Sequence, residues 1–130
     1  MCIRDRFRFT PPVQTIYALR QAIQLLLREG IQFRYHRYMT SWSQLIKGLD
    51  QMGLKWHVPA EHHGKLITAI DCPEKNFSFE DFHRFCLAHQ VTIYPGKLPG
   101  QNTFRIANIG AITPQDMDFF IVLLHRYLDH

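Results

Sequence analysis

The apolar residues of this 130-residue chain repeat at two different periods, and the order in which those periods alternate restricts the fold to a few possibilities. Thr10-Pro11-Pro12, followed by Val13, Ile16, Tyr17, Ile23, Leu26 and Leu27, supplies a capping residue, proline in the first turn and a near-3.6 repeat. The pattern predicts a long helix over 11–29 with Gly30 as its C-cap and Thr10 as its N-cap. From Arg34 to Met52 the residues Tyr35, Tyr38, Trp42, Leu45, Ile46, Leu49 and Met52 recur at three- and four-residue steps, so a second helix follows, ending at Gly53.

The period then shortens. Leu66 to Ile70 is a β-prone apolar run ending before Pro73, and Val91 to Tyr94 and Thr103 to Ile106 are two more, separated by Pro95-Gly96 and other turn residues. Between the first two runs Ser78 caps a helix, with Asp81 three residues on and Phe79, Phe82 and Cys86 on its inner face. Thr113-Pro114, with Asp116 three residues after the cap, opens a last helix whose face is Met117, Phe120, Ile121, Leu124 and Tyr127 or Leu128. Helix, helix, strand, helix, strand, strand, helix is the order of an α+β domain, a small and mostly antiparallel sheet of about three strands with helices on one face.

At 46% hydrophobic residues the chain can bury one core, while its longest apolar runs fall far short of the roughly 20 residues of a membrane span. Met1 to Arg6 has no apolar core of a secretion signal. Cys2, Cys72 and Cys86 are odd in number and widely spaced, which suits reduced thiols, so a cytoplasmic location is expected. A formal charge of +4 with scattered arginines points only weakly to a polyanionic partner, and neither nucleic acid nor membrane is expected as one.

Several clusters invite a chemical reading. His83, Cys86 and His89 recur every three residues, yet His89 lies roughly 120° around a helix from His83, so they do not converge on a metal. His57, His62 and His63 have no acid or thiolate at tight spacing and read as a loop. Phe33 to Tyr38 interleaves rings with Arg34 and Arg37, a surface that could stack and neutralise RNA, but the helical stripe already claims Tyr35 and Tyr38 for the core. Phosphate-loop, dinucleotide, nucleophile-elbow and zinc-protease motifs are absent, so no catalytic residue and no metal ligand is assigned. Arg105, between Phe104 and Ile106 in a short strand, leaves the face opposite its apolar neighbours, where a guanidinium can grip an acidic group through two parallel bonds.

Five segments in order, RFTPPVQT at 8–15, HHGKLITAI at 62–70, FSFEDFHRF at 77–85, TIYPGKL at 92–98 and TFRIANIG at 103–110, resemble the C-terminal part of the 2-aminoethylphosphonate–pyruvate transaminases. Those enzymes are class V, fold-type I aminotransferases dependent on pyridoxal 5'-phosphate. The resemblance implies that 7–130 is the small C-terminal domain, with 11–29 its long connecting helix, and that 1–6 is non-native lead-in. It implies that Arg105 binds an acidic group of the substrate and that Thr10 reaches the cofactor phosphate of the neighbouring subunit in a homodimer. The reaction implied moves an amino group from 2-aminoethylphosphonate to pyruvate in phosphonate breakdown.

The lysine that anchors the cofactor belongs, in such enzymes, to a large N-terminal domain that these residues do not match. Lys47, Lys55, Lys65, Lys75 and Lys97 fit no such motif, so the chain alone is expected to be inactive and to expose apolar surface. Ala107 stands where glycine is usual, which keeps an alanine- or serine–glyoxylate-type aminotransferase as the alternative, beside a non-catalytic module binding RNA or protein.

Overall fold

The computed structural model describes residues 10–73, 77–96 and 100–129. Helices α1 (Val13–Glu29) and α2 (Ile31–Gln51) are followed by strand β1 (Ile67–Asp71), helix α3 (Phe79–Ala88), strand β2 (Thr103–Ala107) and helix α4 (Pro114–Leu128). The chain divides into two units after Tyr35, inside α2.

The first unit is α1 and the opening turn of α2. The expected N-cap at Thr10 is not formed: α1 begins at Val13, its cap position is Pro12, and no side chain caps it. The cause is local, because a residue preceding proline is pushed out of the helical region, and Pro11-Pro12 applies that restriction to Thr10 and Pro11 in turn. At the other end Gly30 adopts φ +83°, its N–H bonds to Leu26 O at 2.8 Å, and helix resumes at Ile31, three residues before the expected start. One left-handed residue is enough to redirect the chain, and nothing in Ile31–Phe33 forbids a helix. Arg34 Nε donates to Glu29 Oε2 at 2.6 Å across this joint. No residue of α1 is buried, and Tyr35, expected in the core, is 61% exposed.

In the second unit β1 and β2 pair antiparallel, Ile67 opposite Ala107 through Asp71 opposite Thr103. Alternation puts Thr68, Ile70, Phe104, Ile106 and Asn108 on the buried face, against which the helices pack, while Ile67 and Arg105 stay exposed. Among the described residues the sheet has two strands, not about three. Residues 91–94 contribute one isolated bridge, Tyr94 to Arg105. Val91 N–H is already bonded to Cys86 O at the end of α3, and Pro95 has no N–H to offer, so the run is too short to form a ladder. A second isolated bridge, Trp56 to Ile70, borders β1 on its other edge.

The core joins Leu45 and Leu49 of α2, Phe82 and Cys86 of α3, Phe104 and Ile106 of β2 and Met117, Phe120 and Leu124 of α4. Gly48 is required where α2 meets α4, since a Cβ there would lie 2.6 Å from side-chain atoms of Ile121. Both predicted polar caps in this unit are formed. Asp81 N donates to Ser78 Oγ at 3.2 Å, and at α4 Thr113 N donates to Asp116 Oδ2 at 2.7 Å while Asp116 N donates to Thr113 Oγ1 at 3.4 Å. Bonds from Thr113 hold the exposed Asp116 carboxyl below its usual range. Among the described residues no helix is long and apolar enough to cross a membrane.

Candidate functional site

Arg105 occupies the middle of β2, opposite Ala69 on β1 and bridged to Tyr94 on the other side. Its flanking residues Phe104 and Ile106 are 0% and 5% exposed, so the pleat turns the guanidinium outward as the alternation predicts. It makes no hydrogen bond or ion pair with any described residue. The strand thus presents a cation unpaired among the described residues, an arrangement suited to hold a carboxylate or phosphonate.

The stem of that side chain is held by a residue the sequence reading treated only as turn material. Gly96 has φ +45°, and a Cβ added there would approach Arg105 Cβ, Cγ and Cδ to 2.9, 2.7 and 2.7 Å. Only glycine satisfies both the backbone angle and the contact. Gly96→Ala is therefore expected to lower stability by about 1–3 kcal/mol, the range of a forced close contact, and to change the Arg105 side-chain NMR signals; unchanged Nε–Hε shifts would refute the contact.

Beside Arg105 lies a groove of about 780 Å³ lined by the exposed edge of β2, residues 89–94 and the start of α4, including Ile93, Ile106, Met117, Phe119 and Phe120. Asn108, the residue after β2, is fully buried. Its Nδ2 donates to Tyr38 O at 3.0 Å and Lys65 O at 3.2 Å, tying α2 to the segment that enters β1. An asparagine after an apolar strand carries no local signal of such a role.

Thr10 is exposed and belongs to the first unit, Arg105 to the second. Because it caps nothing, the Thr10 hydroxyl is not committed to α1, and the first turn of α1 carries no acidic side chain that would oppose an anion. Arg34 is engaged by Glu29, and Arg37 donates to Gly110 O and Ile112 O at 3.0 and 2.7 Å, so the basic–aromatic segment uses its arginines to hold its own chain.

The histidines separate by environment. His83 stacks on Phe79, and His89 Nδ1 lies 2.9 Å from Phe85 O, with Cys86 buried between them and its thiol pushed up to about 11 by burial. Among the described residues no group of three His, Cys, Asp or Glu could hold one metal ion. Of the exposed loop histidines, His57 Nδ1 lies 3.8 Å from Asp71 Oδ1. His63, by contrast, is 9% exposed, packs against Trp42 and Trp56 with ring centroids 5.4 and 5.9 Å away, and accepts the Lys65 N–H at Nδ1, 2.7 Å. Burial first, then the Lys65 charge, lowers its pKa.

Because the unfolded chain then binds the proton more readily, this group's stability contribution is complete above about pH 6.5 and is lost as pH falls from there toward the folded value. Urea midpoints should accordingly drop between pH 7.5 and 5.5, and His63→Gln should flatten the part of that slope due to this ring. A variant with the full slope would remove His63 as its source. Among the lysines, Lys65 Nζ lies 5.2 Å over the Trp42 ring, Lys47 and Lys55 are exposed, and Lys75 and Lys97 lie outside the described residues.

No family model matches the chain. The chain is 38% identical over 115 residues to a 2-aminoethylphosphonate–pyruvate transaminase of Vibrio cholerae, covering 87% of this chain and 31% of the relative. To the enzyme of that name from Lysinibacillus sphaericus it is 35% identical over 124 residues, covering 95% and 34%. The chain therefore spans about a third of the length of the curated relatives it matches. Among solved structures, alanine–glyoxylate aminotransferase from Nostoc sp. superposes with a TM-score of 0.81 at 23% identity over 98% of this chain and 34% of that one. Pyridoxamine–pyruvate aminotransferase from Mesorhizobium loti gives 0.84 at 21% identity over 95% and 32%. These two likenesses establish the fold.

Proposed function

We propose, from the premise that this chain belongs to the 2-aminoethylphosphonate–pyruvate transaminases over the third of their length that it matches, that it is the small C-terminal domain of such an enzyme. The whole protein would transfer the amino group of 2-aminoethylphosphonate to pyruvate, yielding phosphonoacetaldehyde and alanine. Arg105 carries the reading: it is a strand-borne cation, unpaired among the described residues and buttressed by Gly96, suited to an acidic group of the substrate.

The residues present also fit pyridoxal 5'-phosphate at one point. Thr10, uncommitted to capping, and the uncapped first turn of α1 can hold its phosphate, the helix N-terminus favouring negative charge. When bound, the cofactor supplies the electron sink for amino transfer. The contribution of this chain is to bind and orient the anions, Arg105 on the substrate and Thr10 on the cofactor phosphate of a neighbouring subunit in a homodimer. The covalent anchor is assigned to polypeptide outside the matched third, and a cytoplasmic location is proposed from the odd number and wide spacing of the cysteines.

The test uses the purified chain with pyridoxal phosphate, pyruvate and 2-aminoethylphosphonate. No alanine beyond that of a protein-free control is expected; protein-dependent alanine would show that the chain carries its own anchor and would overturn the reading. An alanine- or serine–glyoxylate specificity is the alternative, favoured by Ala107, which lies in the groove beside Arg105. It is separated by comparing amino donors once the remaining two-thirds is supplied.

A further inference from the structure

The loop that leads from Trp56 into β1 is pinned by one side chain. Among residues 57–67 only His63 is buried, while Pro59 to His62, Gly64 and Leu66 are exposed. The His63 ring packs against Trp42 of α2 and against Trp56, which themselves meet edge to face at 6.1 Å and 88°.

The hydrogen bond at this ring is one that only neutral histidine can make. Nδ1 accepts the Lys65 N–H at 2.7 Å, so the proton of the neutral ring sits on Nε2. A second proton, on Nδ1, would set two N–H donors against each other at that distance, and attraction would become repulsion. What the bond holds is a strained turn, since Lys65 has φ +57°, a left-handed angle that residues other than glycine adopt at a cost. The Lys65 turn is tied to His63 by its N–H, to Asn108 Nδ2 by its carbonyl at 3.2 Å, and to the Trp42 ring by its ammonium.

The charge that bears on the ring is Lys65, and it opposes a second cation there. Of the groups on the elements packed against His63, Asp50 of α2 receives Trp56 Nε1 at 3.5 Å, and His57 beside Trp56 lies 3.8 Å from Asp71 Oδ1. Lys47 of α2, Lys55 next to Trp56, and Glu61 and His62 next to His63 are exposed. Among the described residues no carboxylate is paired with His63 to favour its charged form.

We propose that His63 is a pH-sensitive latch: the neutral ring holds the loop 58–66 closed against Trp42 and Trp56, and the protonated ring releases the Lys65 N–H so that the loop opens while the core stays folded. The proton comes from solvent, and no covalent bond changes otherwise. The opening is bounded on one side by the bond from His57 N–H to Ala69 O, and on the other by the β1–β2 ladder, which starts at Ile67 opposite Ala107. The inference does not depend on the reading of Arg105.

Trp42 and Trp56 are the chain's two tryptophans, so the emission of the full chain reports on this site. Between pH 7.5 and 5.0 the emission should move to longer wavelength and become more accessible to acrylamide, with a midpoint below about 6.5, while far-ultraviolet circular dichroism stays constant. Over the same range the protection factor of the Lys65 amide should fall by up to about tenfold per pH unit, the dependence of an opening linked to uptake of one proton. The amides of Phe82 in α3 and Leu124 in α4 should remain protected.

His63→Asn puts Oδ1 where Nδ1 stands and can accept the Lys65 N–H in an Asx turn without titrating, so its emission should be constant across the range. His57→Asn and His62→Asn, at exposed positions, should keep the original transition. If His63→Asn does not fold, the Cε1–H shift of His63 in the unaltered chain decides, and it should titrate with the midpoint of the emission change. A transition retained in folded His63→Asn, or abolished by His57→Asn or His62→Asn, would overturn the proposal. So would a constant emission in the unaltered chain, a His63 midpoint apart from that of the emission, or loss of protection at Lys65, Phe82 and Leu124 together.

Discussion

Phe82→Ala is expected to remove about 3–5 kcal/mol of stability, the cost of truncating a fully buried phenylalanine in a core that cannot collapse around the gap. Phe82 is 0% exposed, and its ring lies 5.6 Å from that of Phe77, 5.8 Å from Phe104, 6.3 Å from Phe120 and 4.9 Å from Tyr127. It is therefore the point at which α3, β2 and α4 meet. A domain of this size has only about 5–15 kcal/mol to lose, so the variant should unfold at a much lower urea concentration, or lack near-ultraviolet circular dichroism altogether. Phe119→Ala, with a ring that is half exposed, is the matched control and should shift stability far less. Equal losses at the two positions would mean that the aromatic cluster is not the centre of the fold.

The second large effect concerns activity. In a transaminase whose matching third is replaced by residues 10–129 of this chain, Arg105→Gln is expected to lower kcat/KM for the phosphonate donor by roughly 10- to 150-fold, the range corresponding to loss of a hydrogen bond to a charged group. Melting temperature should change little, because Arg105 is exposed and its stem lies against Gly96, outside the core. Arg105→Lys should recover part of the loss, since an ammonium keeps the charge but not the two parallel donors. A loss of activity matched by a loss of stability would instead make Arg105 a structural residue. Undiminished kcat/KM would remove it from the substrate site.

Much of this architecture was legible because its causes are local. Ser78 with Asp81, and Thr113-Pro114 with Asp116, announce helix starts through bonds spanning three residues, and both are formed. The outward direction of Arg105 follows from strand alternation alone. Thr10 shows how a local rule fails when a stronger local rule is overlooked: the Pro-Pro pair delays α1 until Val13 and leaves the threonine outside the cap. Val91 to Tyr94 has the composition of a strand, but its first N–H is claimed by α3 and its end is a proline, so composition overstated the sheet.

The sequence by itself determined the helical stripes, the caps of α3 and α4, the two paired strands and the exposed arginine, because each depends on residues a few positions apart. Tertiary structure alone decided that Gly96 would brace Arg105, that His63 would be enclosed by Trp42 and Trp56, and that Asn108 would bond to Tyr38, 70 residues away. Periodicity specifies which face a side chain takes, whereas its partner on that face exists only after chain closure has brought distant segments together.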